Sequence, residues 1–270
     1  MRKKKNKVSA VYLLPNLVTL GAMFCGFYSI VSAINDLYIQ SAIFILFAML
    51  LDGLDGRIAR FTNTQTSFGE HFDSLSDLLC FGIAPALLIY LSSLSMMTFG
   101  YLTKLSYIAC FVYIASAAIR LARFNSRNQT TDKKYFVGLA SPAAAAIIIC
   151  YVWLLSDVNA DMSSYLTLTF LLIISLSLLM VSNIAYLSFK DINIKQKVPH
   201  LMLFGISLIV SFISFDPPKV LFIFFLLYGL SGPTMYLIRR LRRNGLYESN
   251  STSNTAVSYT HLTLPTIYSV

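Results

Sequence analysis

The sequence predicts an all-α, polytopic membrane protein, and three observations carry that reading. Hydrophobic residues fill 56% of the 270 positions and charged residues only 12%, about half the roughly 25% of a soluble domain. Apolar runs such as residues 140–155 and 165–181 are long enough to need a bilayer as solvent. The basic residues recur on alternate loops, as expected of a chain that crosses a membrane repeatedly. This composition excludes a disordered chain, a coiled coil and a nucleic-acid-binding domain, despite a net charge of +9.

Apolar stretches of about 18–24 residues place eight spans in order, at 11–32, 39–61, 70–91, 101–124, 138–156, 163–188, 199–214 and 218–238. The seventh is the shortest and weakest, so six to eight crossings are expected. Residues 1–10 form a basic segment that anchors topology against anionic lipid. Residues 11–243 form the membrane domain and residues 244–270 a polar tail, of which 257–270 resemble a translated adapter scar and are expected to be non-native. The first apolar stretch is too long for a cleaved signal peptide. All but two of the 21 Lys and Arg fall on one side; Lys104 and Lys219 are the exceptions. The positive-inside rule then puts both termini in the cytoplasm. Cys25, Cys80, Cys110 and Cys150 fall inside separate predicted spans, with no spacing that suggests zinc or a disulfide framework.

Acidic residues number only twelve, yet Asp52, Asp55, Glu70, Asp73 and Asp77 fall within 26 residues, four of them on apolar helices. An aspartate at a helix centre costs about 2.5–3.5 kcal/mol on insertion, so the group marks a site. Asp52, Asp55, Gly56, Ala59 and Arg60 recur on one helix face, as do Gly69, Asp73 and Asp77 on the next. A short polar connection at 61–67 makes the two helices an antiparallel hairpin, so the carboxylates converge at its cytoplasmic end. Gly56, Ala59 and Gly69 allow close approach of a helix or a ligand. Four carboxylates call for hard divalent cations on oxygen ligands, Mg²⁺, Mn²⁺ or Ca²⁺. Two ions there would clamp a diphosphate, with Arg60 as a fixed cation for a phosphate oxygen. A salt-bridge network and a divalent-cation transporter are the rival readings of these residues.

With Asp52-x-x-Asp55-Gly56-x-x-Ala59-Arg60, eight residues, then Gly69-x-x-x-Asp73-x-x-x-Asp77, the chain resembles the CDP-alcohol phosphatidyltransferase family. The resemblance implies a six-helix catalytic core and a CDP-linked donor, CDP-diacylglycerol, bound at the cytoplasmic interface of the cell membrane. It implies that Asp52, Asp55, Asp73 and Asp77 hold two Mg²⁺ or Mn²⁺ ions on the diphosphate. Asp77 doubles as general base, and Gly56, Ala59, Arg60 and Gly69 lie around the nucleotide. Asn16 and Thr19, in the segment Pro15-Asn16-x-x-Thr19, would line the cytidine side. The resemblance also implies a homodimer.

The acceptor alcohol must be read elsewhere. Residues 78–86, Arg120-Leu-Ala-Arg123-Phe124-Asn125 and the 136–144 segment with Ser141-Pro142 resemble the membrane-integral phosphatidylserine synthase branch, which implies L-serine as acceptor. Ala22 and Ala140 stand where that branch often carries Asn and Pro. Arg120 and Arg123, at i and i+3, share a helix side and could meet a carboxylate, or anchor the helix by snorkelling. Asn125 is expected in the pocket or as a helix-end cap, and Ser141 in the pocket or at a helix start. A phosphatidylglycerophosphate-type synthase is the rival within the class.

Overall fold

The computed structural model describes residues 13–96, 101–127, 135–158, 160–187 and 214–254, with a few positions between 205 and 211. The basic N-terminal segment, most of the predicted span at 199–214 and residues 255–270 lie outside them. The described residues are helical almost throughout: α1 (Leu13–Ile34), α2 (Tyr38–Phe61), α3 (Ser67–Asp77), α4 (Ala84–Ser92), α5 (Tyr101–Arg127), α6 (Ser141–Asp157), α7 (Leu166–Val181) and α8 (Pro217–Asn254). Two three-residue strands, β1 (Tyr135–Val137) and β2 (Ala185–Leu187), pair antiparallel in the register Tyr135–Leu187, Phe136–Tyr186, Val137–Ala185. Among the described residues, five helices are long and apolar enough to cross a membrane, at Leu13–Ile34, Ser67–Ser92, Lys104–Ser126, Met162–Val181 and Pro217–Leu241, and α6 is a shorter apolar helix.

The centre of the bundle is α6. Its residues 143–152 are apolar on every side and all buried, as expected of a helix enclosed by others. Four consecutive alanines, Ala143 to Ala146, keep it thin, so α2, α4 and α8 can close around it. α1 and α2 lie along each other and α5 packs on α7. Outward faces keep large apolar side chains exposed, among them Leu17, Phe24 and Phe27 on α1 and Phe111 on α5. A water-soluble fold would not leave such faces bare; a bilayer accepts them.

The connection between α2 and α3 is short and closed on itself. Thr64 N–H donates to Ala59 O (3.0 Å) across Asn63, whose φ of 52° is left-handed, the pattern that ends a helix and satisfies its last carbonyls. Thr66 Oγ1 then accepts from Gly69 N–H (3.0 Å) and caps α3. The short connection read from the spacing therefore forms, with a hydrogen bond closing each helix end.

Three expectations about element limits change. The span at 70–91 is not one α-helix: Leu78–Ile83 is a π turn between α3 and α4, with Ala84 N–H reaching back five residues to Leu79 O. Pro85 then leaves a gap in the ladder, because it has no N–H to give the Phe81 carbonyl four residues earlier. The Tyr113 hydroxyl of α5 donates to that carbonyl instead, at 3.0 Å. α7 stops at Val181, before the predicted 188, because Ser182 turns extended and β2 begins soon after. α8 runs on to Asn254, well into the polar tail, because residues 234–254 hold no proline to stop it. Pro233 also orphans a carbonyl, that of Gly229, and the Tyr186 hydroxyl of β2 donates to it at 3.0 Å. The Tyr186 ring lies where a side chain on Gly232 would go.

The segment after β1 is fastened to the end of α7. Gly138 N–H donates to Ile184 O (2.9 Å) and Leu139 N–H to Leu179 O (3.0 Å). Gly138 has φ of 83°, and a Cβ there would run into Met180 O. At the opposite end, Asp161 accepts from Ser163 Oγ (2.6 Å) and Ser163 N–H (3.1 Å), which holds its carboxyl below the ordinary carboxylate range.

Candidate active site

The acidic residues converge as their spacing requires. Asp52 and Asp55 come from the last turns of α2, Asp73 and Asp77 from α3. Carboxylate oxygens of Asp52, Asp55 and Asp73 lie within 4.8 Å of one another. The Asp52 and Asp77 carboxyls are within hydrogen-bonding reach, and two carboxylates that close need a shared proton or a counter-ion. Asp55 is only 5% exposed. Among the described residues, Asp73 Oδ1 and Asp77 Oδ1 are buried without a hydrogen-bond partner, a costly condition unless something else occupies the space they face. An all-oxygen set with two unpartnered oxygens fits a hard divalent cation; it does not fit zinc or copper, which favour nitrogen and sulfur.

The first helix supports this group from behind. Thr19 Oγ1, buried, donates to Asp55 Oδ2 at 2.7 Å and lies 3.1 Å from Pro15 O. Thr19 is therefore placed on an aspartate of the cluster. Asn16 faces Gly69: a Cβ on Gly69 would lie 3.3 Å from Asn16 Oδ1 and 3.2 Å from Thr66 Oγ1. The glycine lets α1 and α3 approach here. Ser76 Oγ reaches Thr19 O at 3.4 Å and Cys80 Sγ reaches Ala22 O at 3.3 Å, further ties that the sequence did not single out.

Gly56 is different in kind. It is exposed, and none of the described residues outside its own helix backbone lies within 4 Å of where its Cβ would be. Its missing side chain serves no packing contact in the protein, so the open face is available to a ligand. Ala59 is half-buried on the same helix. Arg60 is exposed, its Nε donating to Gly56 O at 2.9 Å, which leaves its terminal nitrogens at the edge of that face.

The residues read as an acceptor pocket separate into two groups. Arg120 lies near Asp77, Tyr113 and Tyr228, close enough for electrostatic interaction with each. Its Nη1 donates to Ser141 Oγ at 2.6 Å, while its Nε is buried with no partner among the described residues. Ser141 is buried at the first turn of α6, where Pro142 also sits. Arg120 and Ser141 are thus brought to the aspartates. Arg123 instead donates to Val181 O (3.1 Å) and Asn183 Oδ1 (3.3 Å), placing its charge at the C-terminus of α7, where a cation is favoured. Asn125 does not cap α5, which continues to Arg127; its Nδ2 donates to Ser74 Oγ of α3 at 3.0 Å. Tyr113 is the neighbour that sequence reasoning missed, although Pro85 signals an orphaned carbonyl nearby.

Comparisons with known proteins bear on the same residues. Residues 12–186 match the family model described as CDP-alcohol phosphatidyltransferase, a range that takes in α1 through most of β2 and leaves α8 outside. A protein of Helicobacter pylori (strain ATCC 700392 / 26695) named CDP-diacylglycerol–serine O-phosphatidyltransferase is 35% identical over 227 residues, 83% of this chain and 92% of that protein. One of the same name from Methanocaldococcus jannaschii is 29% identical over 209 residues, 77% of this chain and 90% of its own. A third, from Saccharomyces cerevisiae, is 35% identical over 150 residues, about half of each.

Proposed function

This chain belongs to the CDP-alcohol phosphatidyltransferase family, and on that premise we propose that it transfers the phosphatidyl group of CDP-diacylglycerol to the hydroxyl of L-serine, giving phosphatidylserine and CMP. The observation that carries the reading is the aspartate cluster with its two buried, unpartnered oxygens beside the open Gly56 face. The names of the relatives favour serine over other acceptors. So does Arg120, whose unpartnered Nε beside Asp77 suits a small carboxylate.

Asp52, Asp55, Asp73 and Asp77 are the residues that would hold Mg²⁺ or Mn²⁺. When bound, the ions neutralise charge on the donor diphosphate. Gly56, Ala59 and Arg60 receive the nucleotide and phosphates, with Asn16 and Thr19 supporting the helix behind them. Arg120 and Ser141 orient serine. Asp77 takes the proton of the serine hydroxyl, and the oxygen attacks the lipid-side phosphorus. The bond from that phosphorus to the bridging oxygen breaks, and CMP leaves with the electron pair. Positioning and fixed charge supply most of the acceleration. The basic loops support a location in the cytoplasmic membrane with this end facing the cytoplasm.

The test is CMP release by the purified protein in detergent–lipid micelles with CDP-diacylglycerol and Mn²⁺ or Mg²⁺. Serine, glycerol 3-phosphate and inositol phosphate are offered separately. Release with serine alone is expected, and release with glycerol 3-phosphate alone would replace serine with that acceptor. Divalent-cation flux without CMP release would return the cluster to transport.

Gly56→Ala provides a second check. A Cβ at position 56 meets nothing, and alanine is favoured over glycine in a helix by about 1 kcal/mol. Stability should hold or rise slightly, while the KM for CDP-diacylglycerol increases roughly tenfold, a loss of about 1.4 kcal/mol of binding. An unchanged KM would remove Gly56 from the donor site.

A further inference from the structure

We infer that Tyr113 is a positioning residue for the acidic site: its hydroxyl, by holding the Phe81 carbonyl, fixes the π turn that aims Asp73 and Asp77 at Asp52 and Asp55. The inference rests on the proposed function, in which Asp77 is the base.

α3 is regular up to Asp77, and Leu78 N–H still bonds to Ser74 O and Leu75 O. The ladder then widens by one residue, with Ala84 N–H on Leu79 O. One residue is about 100° of helix rotation. The far side of the turn is fixed by packing: Ala84, Ala86, Leu88 and Ile89 of α4 are all 1% exposed or less. With α4 held, an unwidened helix would rotate α3 by that angle and carry Asp73 and Asp77 away from α2. π turns of this kind recur at functional sites.

What keeps the turn widened is the treatment of one carbonyl. Pro85 denies Phe81 O its ordinary donor, and Tyr113 Oη donates to it at 3.0 Å. Tyr113 is wholly buried and its hydroxyl comes from another helix, so the bond fixes the turn against α5. Gly82 lies beside the same helix: a Cβ there would be 3.4 Å from Ala117 Cβ and would press on Leu78 Cδ1 of the turn at 3.1 Å.

α8 offers an internal control. Tyr186 Oη on Gly229 O, orphaned by Pro233, is the same bond at the same 3.0 Å, on a helix that carries none of the aspartates. The experiment compares Tyr113→Phe with Tyr186→Phe in the full chain in detergent–lipid micelles. It reads the unfolding midpoint, kcat and KM for CDP-diacylglycerol, and the Mn²⁺ concentration for half-maximal activity. Both variants should lower the unfolding midpoint. Tyr113→Phe alone should lower kcat roughly tenfold and raise the Mn²⁺ requirement several-fold, with little change in the donor KM. Equal kcat in the two variants, or an unchanged Mn²⁺ requirement in Tyr113→Phe, would make Tyr113 a structural residue only.

Should Tyr113→Phe fail to fold, Pro85→Ala carries the test. It removes no packed group of α5 and returns an N–H that competes for Phe81 O. It should fold, yet lose kcat and need more Mn²⁺; full activity would overturn the inference. Turnover surviving in Asp77→Asn would instead remove the base assignment beneath it, an outcome read from a separate variant.

Discussion

Asp77→Asn should lower kcat by roughly a thousandfold or more, about 4 kcal/mol of lost transition-state stabilisation. Asparagine keeps the shape and one oxygen but cannot take a proton. The other three aspartates remain, so Mn²⁺ and CDP-diacylglycerol should still bind, with weakened affinity for the ion. Asp77 sits at the last position of α3, within reach of Asp52 and near Arg120, between the cluster that would hold the donor and the arginine that would hold the acceptor. Single-turnover CMP release and donor binding, measured side by side, separate the two effects. Loss of donor binding in step with kcat would make Asp77 a ligand and nothing more.

The second large effect is on stability. Gly138→Ala should destabilise the protein by about 3 kcal/mol, from left-handed backbone strain and a backbone collision together. Its φ is 83°, and the new methyl would meet Met180 O and, at 3.1 Å, Ser182 O. The damage should spread to the site, because Leu139 N–H on Leu179 O and the start of α6 at Ser141 come directly after. Thermal unfolding in detergent should show a clear drop in midpoint, and CMP release should fall with the fraction folded. A variant as stable as the parent would mean that the 137–140 segment can reposition freely.

Much of this site was legible in the sequence because its pattern is local. The intervals within Asp52–Asp55 and Asp73–Asp77 are helix intervals, and the five residues from Thr62 to Thr66 keep the two helix ends close together. Charge rarity in an apolar chain then marked the carboxylates as a site. The apolar runs gave the helices and, within a few residues, most of their ends. What could not be read were the contacts that cross the bundle. Nothing near Pro85 says that Tyr113, 32 residues beyond Phe81, will meet its carbonyl; nothing near Pro233 points back 43 residues from Gly229 to Tyr186. The two arginines at i and i+3 show the same limit. Their spacing gives one helix side, yet Arg120 turns to Ser141 and Asp77 while Arg123 turns to the end of α7. Long side chains diverge from a shared face, and only the neighbours decide where each one goes.

The proline in α8 has a consequence for how the molecule is put together. A helix inserted alone into lipid must satisfy its own backbone, because the surroundings offer no donor. α8 cannot do so at Gly229 until the Tyr186 hydroxyl arrives. Before assembly, that carbonyl is a local defect in an otherwise self-sufficient helix; afterwards it is a specific joint, with Gly232 shaped to admit the ring. Association of α8 is therefore favoured at one rotation and one depth, in a solvent where apolar surface alone gives no preference between lipid and protein. The proline acts as an assembly code, read by the tyrosine of β2.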